Sequence, residues 1–307
     1  MEVRAVLPGD SEDLDSMLLK ERTGPGFHSE VRVAYSALAR KVGSHKEIVR
    51  LAIKRAEKSQ SIREWRVLIN PQAIGQKLGA LQVDARLDMK EQERAVSQIK
   101  LIEGVTLIAS YHGGPLRVVI YYESEESAGR KIQLIASICG VNEEDTTLVK
   151  VTPTFNGKLR RTDWMVVRSI SKNPRRKSAE IASELGLSSR TVNRLIGKMT
   201  ESRAIFLVAV IDVERSHGVS VSFLVKCNEE AKREVGKLVE GQRVSFATPA
   251  TNEYYTTILF FKNVSEAEQF KGRLDSVHGV EKVQMYILRD HVFVDSWLDE
   301  VIQRNAA

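Results

Sequence analysis

The chain has 307 residues, 42% of them apolar and 28% charged, with a formal net charge of +6. That is an ordinary soluble composition, long enough for two or more domains with real cores. No run of about eighteen apolar residues is present, the N-terminus lacks a secretory pattern, and Cys139 and Cys227 are too isolated for a disulfide framework or zinc site; a cytoplasmic protein without membrane segment, metal or cofactor is expected.

Positive charge is unevenly placed. Residues 30–66 hold 10 Lys/Arg against 4 Asp/Glu and residues 158–198 hold 11 against 3, so the rest of the chain is net acidic. Two short basic segments are the electrostatic footprint of a phosphate-backbone binder.

In chain order, Asp15, Leu18 and Leu19 open a first helix, and the turn-rich stretch from Gly24 to Phe27 is an insertion before the second. LARKVG at 38–43 closes that second helix. A third follows, with His45, Lys46, Glu47, Arg50, Leu51 and Lys54 on its outward face and a capping-box spacing between Ser44 and Glu47. REWRVLINPQAIG then reads as a wing strand and linker, which ends a first domain at residue 75. Residues 76–153 alternate as strand, helix, strand, strand, helix, strand, with His112, Gly113, Gly114 and Pro115 turning the central hairpin. This βαββαβ order is the ferredoxin-like split unit.

TPTFNGKLRR at 152–161 joins the halves, and its Lys158, Arg160 and Arg161 are either phosphate contacts or solvated linker charges. Residues 154–217 form the next domain. Asp163 suits a helix N-terminus, Val166, Val167 and Ile170 share one face, and Pro174 stops the helix. A second helix starts after Ser178 as N-cap, buries Ile181, Ala182 and Leu185, and ends at Gly186. Ser188 caps a third, in which Val192, Leu195, Ile196 and Met199 recur at helical spacing and turn Ser189, Arg190, Asn193 and Arg194 outward. Guanidinium and amide groups match the donor and acceptor edges of guanine and adenine, so this helix is expected to read bases. Arg176, Ser188 and Lys198 flank it; Lys46, Arg50 and Lys54 of the first segment are assigned to phosphates. Residues 218–307 repeat the βαββαβ order and add an amphipathic segment, Val292 to Ile302, whose Trp297 reads as core. Gly104, Gly140, Gly241 and Gly279 are expected as helix C-caps.

Asp163, Val166, Val167, Ile170, Arg176, Ser178, Ile181, Ala182, Leu185, Gly186, Ser188, Val192 and Ile205 stand where the N-terminal domain of Lrp/AsnC (feast/famine) transcriptional regulators has its pattern, and this stretch resembles that family. Ile69, Asn70, Pro71, Ala73, Ile74 and Gly75 resemble the family's interdomain segment. A shift of 143 also lays LARKVG on IASELG, Val49 on Val192, Ile53 on Ile196 and Ile62 on Ile205, so the chain reads as a tandem duplication. The expected fold is α+β: two winged helix-turn-helix domains alternating with two ferredoxin-like domains that pair as an internal pseudo-dimer, open to further pairing with a second chain.

The resemblance implies a sequence-specific regulator of double-stranded DNA, with any small-molecule effector, such as an amino acid, held between ferredoxin-like domains. The matching positions are His112, Gly113 and Gly114 in the first and Asn252 and Glu253 in the second. The family's Gly-x-x-Asp-Tyr turn is incomplete in both copies, which favours a structural pairing role. The two-domain arrangement also resembles the siroheme decarboxylases. The six histidines form no metal spacing and only His112 lies in a suitable turn, so no enzymatic activity is expected. A regulator acting through protein contacts is the third reading, drawn from Leu51 and the aromatic C-terminal segment.

Overall fold

The computed structural model describes residues 39–40, 43–151, 155, 157–212, 218–240, 242–250 and 252–307. Asp15, Leu18, Leu19, the 24–27 insertion, Gly241 and His217 lie outside them. The described chain is mixed α/β, with two sheets.

Helix α1 (Lys46–Lys58) buries Val49, Ala52 and Ile53, as its apolar spacing requires. Its N-cap is His45 without a side-chain cap bond, so the expected capping box at Ser44 does not form. Glu47 instead pairs with Arg50 one turn on, at 2.7 Å. Strand β1 (Ile62–Ile69) follows. Asn70 is fully buried; its side chain accepts from Gln72 N at 3.0 Å and donates to Arg203 O at 2.9 Å. That fixes the short 3₁₀ turn Pro71–Ile74 against Arg203 and Ala204 in the second half of the chain.

The first β-α-β-β-α-β run is β2 (Lys77–Val83), α2 (Met89–Ile99), β3 (Val105–Tyr111), β4 (Leu116–Tyr122), α3 (Glu125–Cys139) and β5 (Thr146–Val151). The alternation in β4 sends Leu116, Val118 and Ile120 toward the helices, into a core with Ile99, Ile108 and Ile135. Then come α4 (Arg161–Ile170), α5 (Ser178–Leu185), α6 (Ser189–Glu201) and β6 (Ile205–Ile211). The second run is β7 (Val219–Cys227), α7 (Glu229–Glu240), β8 (Arg243–Pro249), β9 (Tyr254–Phe261), α8 (Val264–Asp275) and β10 (Val280–Phe293), and α9 (Ser296–Ala306) ends the chain. Phe223, Phe261 and Phe270 stack at 5.5 to 6.0 Å in its core. Gly140 caps α3 in the left-handed conformation, whereas Gly104 and Gly279, also at positive φ, lie past the ends of α2 and α8 and turn the chain into the next strand.

Strands β1 and β6 pair antiparallel as a two-stranded sheet. The other eight form one sheet in the order β5-β2-β4-β3-β10-β7-β9-β8. Strand β10 joins its halves: Val280 to Ile287 pairs with β7, and Leu288 to Phe293 pairs with β3. The expected helical segment from Val292 is therefore corrected, because Val292 and Phe293 continue the strand and α9 starts at Ser296. A further apolar cluster, including Leu78, Tyr111, Tyr121, Leu224, Tyr286 and Leu288, draws on both halves of the sheet.

Helix α9 packs Leu298, Ile302 and Ala306 into the core of α4, α5 and α6, which Val67 and Ile69 of β1 also enter. Lys172 of that domain ion-pairs with Asp299 at 2.6 Å, and Arg66 of β1 pairs with Asp295. Trp297 is half-buried, stacks edge-on against Tyr121 at 5.8 Å and donates to Glu103 at 3.1 Å. Tyr121 donates to Ile69 O at 2.6 Å, and complete burial pushes its phenol well above the ordinary range. Among the described residues, no helix is long and apolar enough to cross a membrane.

Candidate nucleic-acid interface

The second basic segment builds a compact three-helix head. Asp163 is buried and accepts from Arg160 N at 2.8 Å, so its carboxylate closes the start of α4. Helix α5 begins at Ser178 with Lys177 as N-cap. The serine does not cap its own helix as expected; its hydroxyl donates to Asn193 Oδ1 at 2.5 Å, tying α5 to α6. Gly186 has φ of 65°, where any other side chain would be strained, and this lets α6 start at once. Ser188 caps it, accepting from Thr191 N at 3.0 Å.

Val192, Leu195, Ile196 and Met199 of α6 are buried. Ser188, Ser189, Arg190, Asn193, Arg194 and Lys198 are all exposed on its other side. Arg190, Arg194 and Lys198 make no hydrogen bond or ion pair with any described residue. They form a cationic face on a helix whose apolar side is locked into a core. Arg176 differs from its flanking assignment: it ion-pairs with Glu184, approaches Glu180 at 3.8 Å and bonds Ser169 O at 3.4 Å. The Ser169 hydroxyl and Arg176 hold the Glu184 carboxyl below its usual range. Arg176 thus braces α4 against α5.

In the first segment Lys46 and Lys54 are exposed, but Arg50 is engaged by Glu47, and Leu51 is 44% exposed on the same helix. The two heads also touch. Glu57 near the end of α1 accepts from Trp65 Nε1 at 2.9 Å and from the guanidinium of Arg175, which sits 5.0 Å from the Trp65 ring. Sequence reasoning missed this cluster, since its partners are 118 positions apart and no local pattern marks them.

The candidate effector residues fall into two hairpin turns that reach across to the other half of the sheet. His112 N donates to Ile287 O of β10 at 3.0 Å, and Asn252 Nδ2 donates to Leu148 O of β5 at 2.9 Å. Gly113 is exposed, whereas Gly114 has φ of 108° and packs so closely that a Cβ there would lie 2.4 Å from Leu87 N. Glu253 is exposed, and its carbonyl accepts from Cys227 N at 2.8 Å. Buried Gln92 braces the first turn through Tyr111 O and Pro115 O, and buried Lys232 braces the second through Ala250 O and Asn252 O. Of the candidate effector residues, His112 and Asn252 bond to the other half, while Gly114 and Glu253 make their contacts within their own.

Residues 159–205 match the family model of winged helix-turn-helix DNA-binding domains. No curated protein sequence matches the chain. Among solved structures, the siroheme decarboxylase NirDL aligns over 96% of this chain and 98% of its own at 14% identity, with a TM-score of 0.56. Its complex with an iron-uroporphyrin III analogue aligns at 15% identity over the same shares, with a TM-score of 0.55. AsnC of E. coli aligns over 43% of this chain and 93% of its own at 16% identity, with a TM-score of 0.34. The expectation of a non-enzymatic protein is corrected by the first two: over nearly its whole length the chain has a fold that an enzyme also uses.

Proposed function

We propose that the chain is a sequence-specific, DNA-binding transcription regulator built by tandem duplication, with α6 reading bases and α1 holding phosphates. The observation that carries it is the exposed, unengaged trio Arg190, Arg194 and Lys198 on the third helix of a segment matching winged helix-turn-helix DNA-binding domains. Duplication is supported by agreement at a shift of 143. Helices α1 and α6 start and end at matching positions, and the two non-glycine residues with positive φ among the described ones are Gln60 and Arg203, both at 60°. The two β-α-β-β-α-β runs also have the same internal strand order. Winged domains at about 1–75 and 154–217 and ferredoxin-like domains at about 76–153 and 218–307 follow from this reading.

The test compares Arg194→Ala and Arg50→Ala on a site selected from random duplexes and on a scrambled duplex, over a range of salt. Losing one base-reading arginine costs about 1–3 kcal/mol of discrimination, while losing one phosphate contact lowers the salt slope by roughly one for all sequences. Arg194→Ala should do the first and Arg50→Ala the second. Equal binding of selected and scrambled duplexes by the unaltered protein rejects the reading.

The full-length likeness to NirDL favours a second reading, a tetrapyrrole-transforming enzyme. A visible absorption change on titrating the purified chain with siroheme, followed by loss of carboxyl groups from it, would support that reading against the first.

A further inference from the structure

Within the sheet interface lies a polar layer around a buried arginine that makes no direct ion pair with a described residue. Arg117 of β4 is only 4% exposed. Its Nε donates to Gln82 Oε1 at 3.2 Å, and its Nη1 to Ser222 Oγ at 2.5 Å and Thr256 Oγ1 at 3.1 Å, the last two on strands of the other half. Its Nη2 has no partner among the described residues. On neighbouring β3, Tyr111 is 1% exposed, its ring centre 5.8 Å from the Arg117 guanidinium carbon, and its hydroxyl also has no partner among the described residues. The carboxylate of Asp84 accepts from Tyr286 at 2.7 Å, from Gln284 at 3.1 Å and from Gln82 Nε2 at 3.3 Å, so it is linked to Arg117 through the Gln82 amide but makes no ion pair with it. Every acceptor that Arg117 reaches is a neutral amide or hydroxyl.

A buried cation without a paired anion is among the costliest arrangements in a protein interior. A water at Nη2 would satisfy the donor and leave the charge. We propose that the interface holds one small anion, a halide ion or the carboxylate of a small molecule, against Nη2 of Arg117 and the hydroxyl of Tyr111. The class follows from the donor set. Two orphaned groups that can both donate call for a ligand that brings acceptors and one negative charge, and a phosphate or sulfate would present more acceptor oxygens than this pair can serve. Ser222 and Thr256 belong to one half and Tyr111 and Gln82 to the other, so the bound anion would tie the halves together. The site is independent of the DNA-binding reading.

The test is thermal unfolding of the full chain in sodium chloride, bromide, acetate and isethionate at equal ionic strength. A bound anion raises the midpoint by a constant increment per tenfold increase in concentration above its dissociation constant. We expect that increment in chloride and bromide if the ligand is a halide, in acetate if it is a carboxylate, and not in bulky isethionate. Arg117→Met should abolish it. Because that variant also removes three hydrogen bonds, Tyr111→Phe, which deletes only the unpartnered hydroxyl, serves as the second probe and should weaken the increment several-fold. The same midpoint in all four salts, or an increment unchanged in Tyr111→Phe, overturns the proposal. In crystals grown in bromide, anomalous density beside Arg117 Nη2 would support the halide arm.

Discussion

The contact between the two heads predicts a defined effect on DNA spacing. Glu57 accepts from both Trp65 and Arg175, and the Glu57 and Arg175 side chains are 36% and 24% exposed, so solvent screens the pair only in part. A charge-assisted hydrogen bond is worth about 1.5–3 kcal/mol, and screening at this exposure reduces it to about 1–2 kcal/mol. Stacking of Arg175 on Trp65 adds about 0.5–1 kcal/mol. A double-mutant cycle with Glu57→Gln and Arg175→Gln, read by denaturant unfolding, should therefore return a coupling of about 1–2 kcal/mol. The same contact adds to the β1–β6 pairing in fixing α1 against α6, and about 1.4 kcal/mol corresponds to a tenfold preference. On duplexes that vary the distance between a selected site and a flanking stretch, the unaltered protein should favour one spacing by about tenfold, and the double variant by much less. A spacing preference that survives both substitutions would refute the role of this contact, and a coupling near zero would refute its energetics.

Two further outcomes follow from buried groups and exposed edges. Burial, and secondarily Arg63, push His291 down to about 4 from 6.5, against the opposing pull of Asp290, Asp212 and Glu64. The unfolded chain then takes up the proton first, so stability is complete above about pH 6.5 and falls by up to about 3 kcal/mol as pH drops toward 4. His291→Gln should flatten that slope in urea melts; an equally steep slope in the variant would assign it elsewhere. A fragment of residues 1–153 loses the partners of β1 and β3, which are β6 and β10. It should dimerise or aggregate in sedimentation, and a stable monomer would contradict the internal pairing.

How much of this was legible in the sequence depended on how local each cause is. Strands β3, β4 and β9 occupy the stretches that alternation and flanking turns mark, because side-chain period and turn chemistry act within a few residues. The inward face of α6 and the cap at Ser188 were legible for the same reason. The overrun of β10 was not. Val292 and Phe293 sit in a sequence that suits a helix, and they are extended because β3, far away in the chain, offers an edge to pair with. Ser178 carries a good capping side chain, and the tertiary contact with Asn193 takes it instead. Arg117 left a trace, a cation at an inward position of the apolar run Leu116 to Tyr122, but only the fold reveals that no carboxylate meets it. In the α4–α6 head, meanwhile, Ser188, Ser189, Arg190, Asn193, Arg194 and Lys198 are exposed while Arg176 is drawn into an ion pair, and of the residues in the two hairpin turns His112 and Asn252 bond to the other half.

On the reading of two related halves in one chain, the differences between those halves carry the functional argument. A homodimer must present two identical heads, so any residue that improves base reading in one appears in both. A single chain is free of that constraint. Where α6 has Arg190 and Arg194, α1 has Glu47 and Leu51, and Glu47 draws Arg50 into a pair on its own helix. Gln92 and Lys232 brace the two hairpin turns from the first helix of each half with an amide in one and an ammonium in the other. Helix α9 packs on α4, and Asp295 before it and Trp297 within it reach Arg66 of β1 and Glu103, so one C-terminal segment ties described parts of both heads to the first half of the sheet. On the proposed reading, base contacts require side chains held in register with the groove, and the buried apolar side of α6, Val192, Leu195, Ile196 and Met199, gives Arg190 and Arg194 that support.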